Sequence, residues 1–136
     1  MKIEEIKNLV EDYDKTYRAD GLAPFVISKK YYLYPQNGEY GWPEIWPNCT
    51  SSGVYLIFDD KDEIIYVGES INLGNRLSDY FKYSENGGVK VIHNWSPFSI
   101  LTITVPSSSQ FERLALEEYL INELNPFYNI RGKIAI

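Results

Sequence analysis

The stretch SSGVYLIFDDKDEIIYVGES, residues 51–70, contains two short apolar runs on either side of an acidic centre. This pattern predicts a β-hairpin that carries one tyrosine on each strand. A symmetrical loop centred on Asp60 and Lys61 places Tyr55 directly opposite Tyr66. Directly opposed residues of an antiparallel pair share a face, so we expect the two phenols side by side, with Cβ atoms about 4.5 to 5.5 Å apart. A one-residue bulge in either strand would break this register.

The composition describes a packed globular domain. The chain has 136 residues, of which 44% are hydrophobic and 15% aromatic. No apolar run approaches the length of a membrane span, and acidic residues stand where a signal peptide is apolar, so we expect a cytoplasmic protein. Cys49 and His93 are the only cysteine and histidine, which excludes disulfides and Cys/His zinc sites. A bound metal ion would have to be a hard cation held by oxygen atoms.

The charge balance is acidic, with a net charge of −6 from 19 acidic and 13 basic residues. A protein that relies on general electrostatic attraction to nucleic acid is usually basic. If DNA is the partner, we therefore expect only a few phosphate contacts.

Residues 1–50 are predicted to form an N-terminal extension that packs on the core. Apolar residues recur at helical spacing over residues 2–19, which predicts an amphipathic helix. A short strand is predicted at FVIS, residues 25–28, before an irregular aromatic-rich segment. Its aromatic side chains either pack beneath the extension, which we favour, or form a surface on which bases stack. They are Tyr31, Tyr32, Tyr34, Tyr40, Trp42 and Trp46.

After the hairpin, the pattern predicts a helix, a strand and a second helix. Ser70 is the predicted N-cap of the first helix. Residues spaced by four form two stripes along this helix. The apolar stripe is predicted to contain Leu73, Leu77 and Phe81, and the neighbouring stripe Asn72, Arg76 and Tyr80. The segment FSILTITV, residues 98–105, alternates as a strand. The last helix is predicted to begin near Gln110 and to end before Pro126, because a residue that precedes proline avoids helical geometry.

Glu117 is an anomaly in this last helix. At 100° per residue it falls in the middle of an apolar arc. The arc consists of Leu114, Leu120, Ile121 and Leu124. A buried carboxylate must be paired, hydrogen-bonded or bound to a metal ion, because burying it alone is costly. The ordinary alternative is an ion pair with Arg113, four residues earlier, whereas Glu118 lies at the polar edge and needs no explanation.

Four motifs, in this order and spacing, resemble the GIY-YIG nuclease domain found in the nuclease subunit of bacterial excision repair and in certain homing endonucleases. They are GVY at 53–55, YVG at 66–68, SINLGNRL at 70–77, and E-x-x-L-I with P-x-x-N over 117–129. The resemblance covers about residues 51–130, and we assign residues 51–136 to a nuclease-like domain. It implies an α+β fold with a small antiparallel three-stranded sheet flanked by helices, in the order β-β-α-β-α.

The resemblance also implies the site. Its catalytic positions fall on Tyr55, Tyr66, Arg76, Tyr80, Glu117 and Asn129. In the family the glutamate binds one divalent ion, usually Mg²⁺, with Mn²⁺ the expected substitute, and the arginine faces the scissile phosphate. One tyrosine helps to deprotonate the attacking water, and the asparagine supports the site. Tyr55 is our preferred base and Tyr66 the alternative. A phenol has a reference pKa of about 10, so nearby cations would have to lower it.

Glu69 departs from the family pattern, in which a lysine commonly follows the YIG glycine. An inward-facing anion would oppose tyrosinate. We favour the alternative in which Glu69 faces solvent at the helix N-terminus. Ordinary alternatives also exist for Arg76, as a solvated or Asp79-paired side chain, and for Asn129, as a backbone cap.

The function predicted from these observations is a metal-dependent endonuclease that hydrolyses DNA phosphodiester bonds by one-metal, tyrosine-assisted water attack, in DNA repair or recombination. The alternative is a weakly active or inactive GIY-YIG-derived module that binds nucleic acid or protein, which the acidic charge and Glu69 favour. The complete set of catalytic residues favours the nuclease. The expected partners are DNA and, through the extension, a partner protein.

Overall fold

The computed structural model describes residues 3–34, 49–84, 88–91 and 96–129. The elements in chain order are α1 (Ile3–Tyr17), β1 (Val26–Ile27), β2 (Tyr31–Tyr32), β3 (Gly53–Phe58), β4 (Ile64–Ser70), α2 (Leu73–Tyr80), β5 (Phe81–Ser84), β6 (Gly88–Val91), β7 (Ser99–Thr104), a single 3₁₀ turn (Ser107–Ser109) and α3 (Glu112–Leu124). The predicted α+β class is confirmed. Within the described ranges, no helix is long and apolar enough to cross a membrane.

An antiparallel sheet forms the centre of the fold. Strand β3 lies between β7 and β4, and these are the three strands that the sequence predicts. The sheet is wider than predicted, because β1 and β2 of the N-terminal extension both pair with the outer edge of β7. A separate β5–β6 hairpin follows α2. Strands β1 and β2 have only two residues each, which is too short to show a hydrophobic period. The sequence pattern therefore predicted β1, within residues 25–28, but not β2.

The two faces of the sheet are buried by different helices. On one face, α1 and α3 pack against alternate residues of β3, among them Val54 and Leu56. On the other face, α2 packs against Tyr55 and Ile57. Strand β3 is thus buried on both sides, which is why its sequence is a continuous apolar run.

The register of the β3–β4 hairpin differs from the predicted one. Tyr55 pairs with Gly68, and Tyr66 pairs with Ile57, so the predicted direct pairing of the two tyrosines is wrong. The register shifts between Ile57 and Phe58, in the way that a bulge shifts it. Because the offset is two residues, both phenols still lie on one face, as diagonal neighbours.

The hairpin loop explains this shift, because it is asymmetric. The carboxylate of Asp59 accepts hydrogen bonds from the backbone N–H groups of Lys61 and Glu63, at 3.0 and 2.9 Å. Asp62 adopts a left-handed conformation with φ 65°, which aspartate tolerates better than most residues. The loop is therefore not symmetrical about Asp60 and Lys61, as the predicted register assumed.

The helix predictions need three corrections. Phe81, predicted on the apolar stripe of the first helix after the hairpin, lies beyond α2 and begins β5. Ser70 belongs to β4, and the N-cap of α2 is Asn72, whose side chain accepts a hydrogen bond from the Asn75 N–H at 2.9 Å. In α3, Leu114 is 51% exposed whereas Leu116 is fully buried, so the buried arc is centred further round the helix than predicted. The predicted end before Pro126 is confirmed, since Asn125 terminates α3 in a left-handed conformation.

The aromatic residues of the extension divide between described and undescribed segments. Tyr31 and Tyr32 form β2, and Tyr34 packs against the core on the α2 face. Outside the described residues lie the other three, Tyr40, Trp42 and Trp46. His93, from a later segment, also lies outside them. A stacking surface for bases stays a prediction.

Candidate active site

Tyr55 is the most deeply buried of the predicted site residues. It lies in the middle of β3 and is 1% exposed. Its phenol ring extends across Gly68 of β4, where an added Cβ atom would lie only 2.3 Å from Cζ and Oη of Tyr55. The YVG glycine therefore leaves room for this phenol.

Three tyrosines meet on this face of the sheet. The ring centroids of Tyr55, Tyr66 and Tyr80 lie 6.0 to 6.2 Å apart. Strands β3 and β4 supply the first two rings, and the last residue of α2 supplies the third. The hydroxyl of Tyr55 donates to that of Tyr80 at 3.4 Å. The structure thus brings together residues that are up to 25 positions apart.

Arg76 lies one helical turn before Tyr80 and joins this cluster. Its Nη2 donates to the Tyr80 hydroxyl at 3.0 Å, and its Nε donates to the Tyr55 hydroxyl at 3.4 Å. The guanidinium carbon also lies 4.9 Å from the centre of the Tyr80 ring, within cation–π range. The hydrogen bond to Tyr55 raises the pKa of Arg76. A permanent cation is therefore held beside the phenols.

Burial raises the pKa of the two hairpin phenols, Tyr55 and Tyr66. Burial, then the hydrogen bond to Tyr80, raises the pKa of Tyr55 far above its usual range, and Arg76 opposes this only in part. Burial, followed by the neighbouring Tyr80 and Glu117, raises the pKa of Tyr66 to about 12. Arg76 lowers the pKa of both phenols, as expected of a nearby cation, but burial outweighs it and the net pKa is raised.

Glu117 approaches the cluster from α3. It is half-buried on the buried side of the helix, between Leu120 and Ile121 in angular position. Its charge is one of the causes of the raised pKa of Tyr66, so the two side chains lie within electrostatic reach. Glu118 is exposed, as predicted.

Glu69 follows neither of its two predicted orientations. It pairs with Val54 in the sheet and so points to the face of α1 and α3, away from the phenols. There its carboxylate accepts a hydrogen bond from Nε of Arg113 at 2.8 Å. The strict alternation of strand side chains could have identified this face from the sequence. The identity of its partner, 44 residues away, could not be deduced from it.

Asn129 binds the outer edge of β4. Its Oδ1 accepts from the Val67 N–H at 2.7 Å, and its Nδ2 donates to the Val67 carbonyl at 2.8 Å. Val67 is the neighbour of Tyr66, so Asn129 fixes the strand next to that phenol. The backbone-cap alternative describes this contact correctly, with a partner distant in sequence.

The oxygen donors of the site suit a hard cation. Glu117 supplies one carboxylate, whose charge acts on the Tyr66 phenol. Within the described part of the chain, no three His, Cys, Asp or Glu residues group together as a metal site. A single protein carboxylate fits Mg²⁺, which keeps several water ligands and shares its shell with substrate phosphate.

A β-β-α-β-α core with phenols on both hairpin strands, an arginine on the first helix and a glutamate on the last defines a GIY-YIG type of domain. The family described as "UvrC-like GIY-YIG domain" matches residues 51–130. The chain belongs to this family.

Similar proteins include UvrABC system protein C of three organisms. That of Methanothermobacter thermautotrophicus is 39% identical over 93 residues, which is 67% of this chain. Those of Alkaliphilus oremlandii and Helicobacter hepaticus are 42% and 36% identical over 57% and 60% of the chain. The matched segments are only 12% to 15% of the length of these relatives.

Proposed function

We propose that the protein is a metal-dependent endonuclease that hydrolyses DNA phosphodiester bonds. The observation that carries this proposal is the Arg76 guanidinium, held at 3.0 Å from the Tyr80 hydroxyl, together with the charge of Glu117 acting on Tyr66. A fixed cation and a half-buried carboxylate that both act on the Tyr66 phenol suit a phosphate group and a divalent ion. The membership in the GIY-YIG family and the names of the relatives, which refer to the UvrABC system, support a role in DNA repair.

Arg76 and Glu117 stabilise charge in this proposal. The guanidinium donates to non-bridging phosphate oxygens, where negative charge grows during the reaction. The carboxylate of Glu117 holds one Mg²⁺ or Mn²⁺ ion. When bound, such an ion lowers the pKa of coordinated water and withdraws charge from the phosphate.

The tyrosines divide their roles by exposure. Tyr66 is half-buried and within electrostatic reach of Glu117, whereas Tyr55 is almost inaccessible to water. We therefore assign the contact with the attacking water to Tyr66, in place of the Tyr55 preferred from the sequence. Because burial keeps Tyr66 protonated, its hydroxyl orients the water rather than starting as a base. Tyr55 and Tyr80 hold the guanidinium in position.

A second candidate is a binding module that has lost most cleavage. Two features favour it. The raised pKa values of both hairpin tyrosines oppose formation of a tyrosinate base, and the net charge of −6 opposes attraction of DNA. The two candidates differ in one measurable respect, which is hydrolysis in the presence of metal ions.

The test is incubation of purified protein with supercoiled, branched and single-stranded DNA, with Mg²⁺, with Mn²⁺ and with chelator. Cleavage should require metal and should fall about 100-fold in Arg76→Ala, the typical effect of removing one charge-stabilising donor. The matched control is Lys61→Ala, which removes an exposed cation of the hairpin loop and should cleave normally. Equal cleavage by Arg76→Ala would refute the role of Arg76. Binding without cleavage under all metal conditions would establish the second candidate.

A further inference from the structure

Two ion pairs hold the beginning of α3, and they come from different parts of the chain. Arg18, after α1, binds Glu112, and Glu69 of β4 binds Arg113. We propose that these four residues, here called the α3 clamp, fix the rotation of α3 and thereby the position of Glu117 relative to Tyr66. This inference rests on the proposed function, since it assigns Glu117 to metal binding.

The first half of the clamp is a buried arginine. The side chain of Arg18 is 2% exposed, and that of Glu112 is 11% exposed. Nε of Arg18 lies 3.1 Å from one carboxylate oxygen of Glu112, and Nη2 lies 3.0 Å from the other. Such a two-point contact fixes orientation as well as distance.

Other contacts hold the guanidinium of Arg18 in place. It donates to Asp14 at 2.9 Å and to the carbonyl of Ala23 at 2.8 Å, and it lies 4.1 Å from the centre of the Phe25 ring. Arg18 is therefore fixed by the N-terminal extension before it reaches α3. Buried ion pairs contribute little reliable net stability, but they specify geometry.

The second half of the clamp connects α3 to the strand of Tyr66. Nε of Arg113 donates to Glu69 at 2.8 Å, and Nη1 donates to the carbonyl of Gln110 at 2.8 Å. Both side chains of the pair are largely buried. Glu69 and Tyr66 belong to the same strand, β4. The pair therefore ties α3 directly to the element that carries the phenol.

The two halves act on successive residues of the helix. Glu112 and Arg113 project about 100° apart, so contacts from two directions oppose rotation of α3 about its axis. Glu117 lies about one turn beyond Arg113 on the same side. At about 5 to 6 Å from the axis, a rotation of about 10° displaces a carboxylate by about 1 Å, whereas a metal ligand must be held within about 0.5 Å.

The position of Arg18 in the chain has a functional consequence. It lies outside residues 51–130, the segment that matches the family. The extension therefore acts as a positioning element for the nuclease-like core, through Arg18 and Glu112. Arg18 and Glu69 are positioning residues, since neither approaches the phenols.

The test measures Mn²⁺ binding to the full chain by electron paramagnetic resonance of the free ion, so that it does not depend on cleavage. Arg18→Met and Glu69→Gln should each weaken Mn²⁺ binding about 10-fold, as expected for partners that orient a metal ligand. The matched control is Lys7→Met, which breaks the exposed 3.7 Å pair with Glu4 on α1 and should bind normally. Each titration is run well below the melting temperature of its variant.

A rescue variant separates positioning from general stability. The double exchange of Glu69→Arg with Arg113→Glu restores an ion pair of reversed polarity and should recover most of the affinity lost in Glu69→Gln. Arg18→Lys, which keeps one charged contact, should lie between the wild type and Arg18→Met, and it replaces Arg18→Met if that variant does not fold.

Glu117→Gln is included in the same titration. If Glu117→Gln loses Mn²⁺ and the folded clamp variants bind normally, the clamp proposal is refuted while the metal site stands. If Glu117→Gln binds as the wild type does, the proposed metal site is refuted, and the clamp proposal with it. Weakened binding in both clamp variants, with a normal control and recovery in the exchange variant, supports the clamp.

Discussion

Gly68→Ala tests how the hairpin accommodates the phenol of Tyr55. In an unobstructed strand this change stabilises a protein by about 0.5–1 kcal/mol. Here the new methyl group would lie 2.3 Å from the phenol, and ordinary contact begins at 3.4 Å, so the ring must move by about 1 Å. Overpacking of this kind costs about 1–3 kcal/mol. The net result should be a loss of about 1–2 kcal/mol in the free energy of unfolding.

The same change should reduce cleavage about 100-fold, because a displacement of about 1 Å at a reaction centre has this order of effect. Urea unfolding and a plasmid cleavage assay measure the two quantities. The matched control is Gly21→Ala. It has no atom within 4 Å of the added Cβ but a φ of +86°, so backbone strain should cost it about 1–2 kcal/mol without moving the phenol. A Gly68→Ala protein that is as stable and as active as the wild type would refute this account of the YVG glycine.

Three further predictions concern the edge strand, ionisation and salt. Asn129→Ala removes both hydrogen bonds to Val67 and should lower the free energy of unfolding by about 1–3 kcal/mol; an unchanged urea midpoint would show that the contact is dispensable. Because burial raises the pKa of Tyr66 to about 12, stability should be fully present below about pH 10 and be lost as the pH rises to about 12; this fall should be smaller in Tyr66→Phe, and an identical fall would contradict the raised pKa. With a net charge of −6, log K for DNA should fall only shallowly with log salt, by about 0.9 per phosphate contact; a steep slope in a filter-binding series would reveal a concentrated basic groove.

Local patterns predicted the elements of the core but not their precise alignment. Alternation and apolar runs located β3, β4 and β7, and helical spacing located α2 and α3. The hairpin register was wrong because the Asp59 side chain and the left-handed Asp62 shape the loop. Hydrogen bonds and backbone conformation within a turn cannot be predicted from the periodicity of hydrophobic residues.

The candidate site shows the same division between local and distant information. The spacing of Arg76 and Tyr80 is local, and the structure has the predicted contact between them. The partners of Glu69 and Asn129 lie 44 and 62 residues away, so only the packing of α3 and the chain end against β4 reveals them. Which arc of α3 is buried also depends on that packing, which is why Leu114 is exposed although it was predicted in the apolar arc, and Leu116 is buried.

The most direct test of the account is a Mg²⁺ titration of cleavage by Glu117→Gln and Glu118→Gln, with a thermal melt of each. Glutamine keeps the shape of the side chain and removes the charge that a divalent ion needs. Glu117 is half-buried and its charge acts on Tyr66, whereas Glu118 is exposed. We expect Glu117→Gln to melt close to the wild type and to show no metal-dependent cleavage, while Glu118→Gln behaves normally in both assays. A Glu117→Gln protein that cleaves with the Mg²⁺ dependence of the wild type would contradict the assignment of the site.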